Sequence, residues 1–283
     1  NQINLLLSFG FIASGITDEF KSMKKNNLKH YKHRFVLKEL LKNLNKVQIQ
    51  QEMPWGGPNV FFLGNILNYS KKINHNVVLS ADGSDEIFGG YDKYLFSSKK
   101  SKINLNYIAK AIDNTTPHNI NLFKNKYLNK LNFNDSIDCP SKSYLDNARY
   151  IDITMSKLPR NFRFSDRYSM SQSIELRYPF LDHKLIELSF KFSNKLLINK
   201  RENKILLRKF YDDNSIKKHI NGPQTSWLYD KAFRNYILKS LEKSPIYDYY
   251  LDSDKVKSFT KKFYTKRATN SFKLWQVFNY HLW

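Results

Sequence analysis

The sequence predicts an α/β fold: a parallel sheet wrapped by helices, with a mainly helical region packed on it. Three observations predict it. Before about Tyr91, short β-type apolar runs alternate with helix-period segments, the pattern of a sheet whose strands are joined by helices. Beyond that point nearly all apolar spacing is helical. At the boundary the continuous apolar run Asn76–Ser80 ends in small residues and acids, as a buried strand does when its C-terminal edge opens on a ligand crevice.

Taken in order, the β-type runs are Ile3–Ser8, Phe9–Ala13, Arg34–Leu37 and Asn76–Ser80, with a helix over Asn59–Lys72. Helical spacing then covers Asn104–Ile112, Tyr144–Leu158, Asp182–Phe192, Glu202–Tyr211, Trp227–Leu241, Asp254–Tyr264 and Ser271–Leu282. The expected organisation is one domain over residues 1–283, with an α/β part at 1–91 and a mainly helical part at 92–283. The first two strands stand back to back, although parallel neighbours need a crossover of about a dozen residues or more. Either they form one bent strand, or a loop and helix belong between Ser8 and Phe9.

With 283 residues and 41% hydrophobic content the chain can bury a sizeable core. No apolar run approaches the roughly 20 residues of a membrane-spanning helix, and the opening lacks a signal-peptide pattern. A soluble cytoplasmic protein is expected. The single cysteine, Cys139, has no neighbours at metal-ligand spacing and reads as a structural thiol. A net charge of +22 would attract phosphates of any kind, but the lysines are dispersed and few aromatics interleave with them. The expected outcome is a solvated basic surface, not a nucleic-acid face.

The stretch VVLSADGSDEIFGGY, Val77 to Tyr91, concentrates the chemistry. Gly83 permits backbone conformations closed to other residues, Ser80 and Ser84 offer hydroxyls, and Asp82, Asp85 and Glu86 place carboxylates where a phosphate-bridging magnesium ion fits. Equally, Ser84 or Asp85 could only cap a helix running toward Tyr91. Further on, Asp166 and Arg167 lie two or three helical turns before Glu175 and Arg177, so both pairs could share one helix face. They are read as a buried charge network, either functional or scaffolding. Lys204 and Arg208 stand four apart on an expected amphipathic helix, from which a lysine could reach a cleft and neutralise a leaving phosphate. The seven histidines show no metalloprotease spacing, and no triad arrangement accompanies them. The segments GPQTSW and NSFKLWQVFNYHLW read as packing.

In order, these segments resemble the C-terminal synthetase domain of the asparagine synthase family, a branch of the ATP-pyrophosphatase superfamily. SADGSDEIFGGY is similar to the family's SGxGxDExFGGY, SDRYSMSQSIELRYPFLD to DRxSMxxxxExRxPFLD, and NKILLR to KxxLR. The tail resembles relatives from surface-polysaccharide gene clusters. The resemblance implies an adenine nucleotide alpha hydrolase-like fold, with helices on both faces of a parallel sheet. It implies that ATP adenylates the β-carboxylate of aspartate, or of another carboxylate intermediate, and that ammonia displaces AMP with magnesium holding the pyrophosphate. On that template Leu7 and Phe11 line the adenine site, and Ser8, Ser80, Ala81 and Gly83 contact the nucleotide. Asp85 sits at the magnesium-pyrophosphate and Lys204 stabilises the departing pyrophosphate. Asp82 replaces a common glutamate near the reacting carbonyl, and Glu175 organises that site. The implied partners are aspartate, ammonia or glutamine, and a glutaminase domain or subunit; the resemblance is also compatible with a homodimer.

Two departures stand beside these matches. The family's SGGxDS loop appears as SFGFIAS, with Phe9, Ile12 and Ala13 at positions that need Gly, Asp and Ser. Read literally the phosphate loop is destroyed; alternatively Ser8 opens the loop and Phe9 begins the second strand, which the missing crossover favours and the placing of Asp18 and Glu19 supports. The N-terminal glutaminase domain, with its cysteine nucleophile, has no counterpart in these residues, and the mid-chain Cys139 cannot replace it: either the sequence is a fragment of a longer chain, or ammonia is taken directly or from a partner. Two other readings use the same residues: an adenylating cyclase of the β-lactam synthetase or lasso-peptide type, and a catalytically dead scaffold.

Overall fold

Leu40, Leu44, Val47 and Gln51 recur along one stripe of a helix, and all four side chains are buried. They belong to α1 (Leu37–Gln51), the first long element of a computed structural model that describes residues 5–6, 29–30, 37–95, 103–104, 122–128, 136–137, 141–199, 201–211, 224–242, 249–266 and 271–282. Two short strands precede it, β1 (Leu5–Leu6) and β2 (Lys29–His30), paired in parallel. The predicted strand Phe9–Ala13, the Ser8–Phe9 junction, Leu7, Ser8, Phe11, Asp18, Glu19 and Cys139 lie outside the described residues. Of the predicted strand Arg34–Leu37 only Leu37 is described, and it begins a helix.

After α1 come α2 (Asn59–Lys72), β3 (Val77–Leu79) and the short α3 (Ser84–Phe88), then a 3-10 turn at Asp92–Leu95. An antiparallel pair, β4 (Ile103–Asn104) with β5 (Ser136–Ile137), brackets the short α4 (Asn125–Leu128). Next are α5 (Tyr144–Thr154), α6 (Lys157–Ser171), β6 (Glu175–Arg177), a 3-10 turn at Pro179–Leu181, and α7 (His183–Ser189). The chain then runs through α8 (Asn194–Leu197), α9 (Ile205–Tyr211), α10 (Gln224–Leu228), α11 (Lys231–Glu242), α12 (Ser253–Thr265) and α13 (Ser271–Leu282). No helix among the described residues is long and apolar enough to cross a membrane.

The central pairing is β3 with β6, parallel, with Val77, Val78 and Leu79 opposite Glu175, Leu176 and Arg177. Because side chains alternate along a strand, Val78 and Leu176 turn together into the main core, while Val77 and Leu79 are 44% and 60% exposed. The helical connection includes α5 and α6. The α6 helix contributes Phe164 and Tyr168 to the same core as α1, α2 and α10 to α13. At Gly64 of α2 a Cβ would lie 1.9 Å from the Tyr168 ring, so glycine alone allows α2 and α6 to approach this closely. The aromatic tail closes the core as packing, as its composition suggests. Trp275 meets Trp55 edge-on with ring centroids 4.8 Å apart, and its indole N–H donates to the Trp55 carbonyl at 3.1 Å. Asn279 donates to that same carbonyl at 2.6 Å.

The structure corrects four local expectations. Asp166 and Arg167 do not share a helix face with Glu175 and Arg177, because α6 ends at Ser171 and the chain, turning through Ser173 at φ 56°, enters β6. Arg167 pairs instead with Glu52. The helix predicted over Tyr144–Leu158 is two helices broken at Met155 and Ser156. Lys204 lies just before α9 instead of inside it, accepting the Arg208 amide on its carbonyl at 2.9 Å. Of the predicted helix Asn104–Ile112 only Asn104 is described, and it lies in β4.

Candidate active site

At the C-terminal edge of the β3–β6 pair the Ser80 amide donates to the Arg177 carbonyl at 2.8 Å, extending the ladder by one bond. The chain then turns sharply through Ala81, Asp82 and Gly83. Gly83 has φ 94°, in the left-handed region, and a Cβ there would strike Leu181 at 2.3 Å. It precedes the first residue of α3, and no side chain caps that helix. Ser84 and Asp85 are therefore released from the capping role they could have had. The Ser80 hydroxyl donates to Asp82 Oδ2 at 2.6 Å, which fixes the carboxylate over the turn. Burial pushes the Asp82 carboxyl above its usual range, the Ser80 hydrogen bond opposes this, and the charge of Asp85 adds to it.

The other end of α3 closes on Gly89, with φ 70°, and Gly90. The Gly90 amide donates to the Asp85 carbonyl at 2.7 Å. A Cβ on Gly90 would fall 1.8 Å from Asp85 Oδ1 and 2.4 Å from Lys204 Cε, so both side chains lie directly on this bare backbone. Asn203 donates to the Gly90 carbonyl at 2.7 Å and is itself held by Arg208, which donates to its main-chain and side-chain oxygens at 2.8 and 3.1 Å. This clamp delivers Lys204, whose backbone has φ 51°, an uncommon value for a residue with a side chain. Its Nζ is 2.8 Å from Asp85 Oδ1 and 3.4 Å from the Ser84 hydroxyl. The second sequence motif and the third thus converge on the first.

Arg149 of α5, which the sequence did not single out, anchors the base of the site. Fully buried, it donates from Nε to the Glu86 carbonyl at 2.9 Å and from Nη2 to the Ile87 carbonyl at 2.8 Å. It also reaches the Ser189 hydroxyl at 2.7 Å and stacks on Phe190 at 4.4 Å. Main-chain carbonyls at a helix C-terminus carry partial negative charge, so a guanidinium is well matched there.

Of the sequence-predicted residues, Ser80, Ala81, Asp82, Gly83, Asp85 and Lys204 come together at this edge. Glu175 does not join them. It stands at the start of β6, level with Val77, about 7 Å below the edge by strand rise. Its carboxylate accepts from Arg177 Nε at 2.8 Å on an exposed surface, and that contact holds it below the usual range. Glu86 also departs from the magnesium-facing position suggested for it: it turns inward, and the Tyr91 hydroxyl donates to it at 2.8 Å. Burial pushes its carboxyl up to about 7. Tyr178, just beyond β6, shares a 2.8 Å hydrogen bond with Ser165 and feels the charge of Asp82.

The asparagine synthase family model matches residues 21–283. The chain belongs to the asparagine synthase family. Among curated relatives it is similar to asparagine synthetase [glutamine-hydrolyzing] 1 of Bacillus subtilis (strain 168), 24% identical over 87% of this chain and 46% of the relative. It is 27% identical to asparagine synthetase [glutamine-hydrolyzing] 2 of the same organism, over 65% of this chain and 26% of the relative. The chain therefore spans less than half the length of the curated relatives it matches. Asparagine synthases are ATP-dependent amide-forming ligases with an α/β fold, and the converged residues lie where open α/β sheets bind their ligands.

Proposed function

We propose that this asparagine synthase domain forms an amide by adenylation: ATP activates the β-carboxylate of aspartate, and ammonia displaces AMP to give asparagine. The observation that carries the reading is the Lys204–Asp85 pair, 2.8 Å apart on the bare Gly90 backbone at the open edge of β3. In this reading Ser80, Ala81 and Gly83 receive the nucleotide with backbone and hydroxyl groups. Lys204 swings from Asp85 to the pyrophosphate as charge develops on it. Asp82, held by Ser80, faces the reacting carboxyl. Its raised carboxyl is suited to taking a proton from the incoming ammonia.

A magnesium ion fits Asp85. Oδ1 is buried and ion-paired but makes no aligned hydrogen bond, which leaves lone pairs for a cation. Magnesium takes one or two carboxylates and completes its shell with waters and phosphates. When bound it would neutralise the phosphates that Lys204 approaches. Ammonia would come from glutamine through a glutaminase domain or subunit, in keeping with the similarity to glutamine-hydrolyzing relatives. The deciding experiment measures pyrophosphate release by the full-length protein with aspartate plus ammonia, beside Lys204→Met. An aspartate-dependent signal abolished in the variant is expected, and no aspartate-dependent signal from the folded protein overturns the reading.

A further inference from the structure

Between α11 and α12 lies a cleft of about 300 Å³ that shares no residue with the candidate active site. Both helices turn one stripe into the main core, Phe233 and Ile237 from α11 and Val256 and Phe263 from α12, and the cleft opens beside those stripes. Leu238, Leu241 and Val256 give it an apolar floor. Thr260 stands in the lining, only 4% exposed, and its hydroxyl is buried with no hydrogen-bond partner among the described residues. A helical threonine can satisfy its hydroxyl on the carbonyl four residues before, as Thr265 of the same helix does on Lys261 at 2.9 Å. Thr260 does not, so the cleft holds a buried polar group whose hydrogen bond is left to be completed from within it. One water occupies about 30 Å³, so the cleft has roughly ten times that room. Such a volume, with an apolar floor and few polar groups, is that of a small-molecule site.

The charges at the mouth define the ligand. Arg234, Lys257 and Lys261 stand exposed there against one acid, Glu242. Arg234 and Glu242 are eight residues apart, about 12 Å along α11, so the acid lies away from the arginine end. The Arg234 guanidinium sits 4.7 Å over the Tyr264 ring, and Tyr264 is itself pinned by its hydroxyl, which donates to the Leu228 carbonyl at 3.3 Å. That stacking orients a planar donor fork whose geometry matches a carboxylate. Thr260 is one helical turn before Tyr264 on the same stripe, which brings its hydroxyl to the same end of the cleft. Lys257 and Lys261, four apart on one helix face, repel each other until an anion comes between them. We propose that this cleft is a ligand site for a small organic acid, its compact apolar body seated on Leu238, Leu241 and Val256 and its carboxylate held by Arg234 and the Thr260 hydroxyl. The site stands independently of the reaction proposed above.

The test titrates 4-fluorobenzoate into the full-length protein and follows it by fluorine NMR, beside neutral 4-fluorobenzyl alcohol and inorganic phosphate. Saturable benzoate binding with a Kd below about 10 mM is expected, within what ligand efficiency allows a molecule of this size. The alcohol lacks the charge and phosphate lacks the apolar body, so both should bind about tenfold more weakly or worse. Arg234→Met is expected to weaken benzoate about tenfold or more and Thr260→Val about three- to tenfold, the losses of a charged and a neutral hydrogen bond. Because Thr260→Val replaces the unpartnered hydroxyl by a methyl of the same shape, the melting temperature of the free protein should hold or rise while affinity falls, which a purely structural threonine would not do. The proposal is overturned by the absence of saturable binding, by benzoate affinity unaltered in either variant, by phosphate or the alcohol binding as tightly as benzoate, or by a Thr260→Val protein that melts below the parent.

Discussion

Gly90→Ala is the sharpest test of the Lys204–Asp85 geometry. A Cβ at this position would lie 1.8 Å from Asp85 Oδ1 and 2.4 Å from Lys204 Cε, where ordinary contact begins near 3.4 Å. The lysine carbon sits near the end of a flexible side chain and can yield by a few tenths of an ångström. The carboxylate cannot, because Asp85 has only two side-chain torsions and its backbone carbonyl is tied to the Gly90 amide at 2.7 Å. The pair must therefore separate. Overpacking of this kind costs about 1 to 3 kcal/mol, which leaves the protein folded and lowers its melting temperature by several degrees. Loss of one placed charge in the reaction costs about a hundred- to a thousandfold in rate, or roughly 3 to 4 kcal/mol. Aspartate-dependent ATP–pyrophosphate exchange, measured beside thermal unfolding, separates the two. Exchange within threefold of the parent protein, from a variant as stable as the parent, would refute the idea that this backbone must be bare for catalysis.

Other perturbations follow from the same structure. The Glu86 carboxyl rises from 4.5 unfolded to about 7 folded, so its stabilising share is complete below pH 4.5 and fades as pH climbs to 7, by about 3 kcal/mol. Glu86→Gln should flatten denaturant-measured stability across that window; an unchanged slope would contradict the assignment. Arg149→Met leaves the Glu86 and Ile87 carbonyls without their donor and should destabilise by about 3 to 5 kcal/mol in urea unfolding, as loss of a buried charged partner does. Gly64→Ala should destabilise although alanine favours helix by about 1 kcal/mol, because its Cβ would lie inside the Tyr168 ring contact at 1.9 Å; calorimetry that shows a gain would contradict the close approach of α2 and α6.

How far the sequence reveals this molecule depends on where the ordering forces act. The Asn59–Lys72 and Ser271–Leu282 helices are legible to the residue, because their apolar stripes are dense and their ends are marked by Pro58 and by charged or polar residues. The α1 helix is hidden: its buried stripe of Leu40, Leu44 and Val47 is diluted by lysine and asparagine, and a strand-like run just before it draws attention away. Glu175 illustrates a second limit. Its spacing from Asp166 fits a helix face, but Ser173 takes a left-handed conformation and converts the following residues into the partner of β3, a pairing fixed across nearly a hundred positions of chain. That Asp82, Asp85 and Lys204 gather at one sheet edge is legible because their motifs occur in order. Arg149 and Tyr91 reach α3 through burial and side-chain hydrogen bonds, for which a single sequence carries no periodic signal.

The Trp55 carbonyl, which accepts from both Trp275 and Asn279, has a consequence for how the protein is made. Its partners lie 220 and 224 residues downstream. At a synthesis rate of about 5 to 20 residues per second, the first helices wait roughly 10 to 45 s on the ribosome before these donors exist. During that interval Leu40, Leu44, Phe61 and Leu67 have none of the apolar cover that α10 to α13 later supply. Folding of this scaffold is thereby tied to synthesis of α13, and the nascent protein is exposed to chaperones and aggregation until that helix is made.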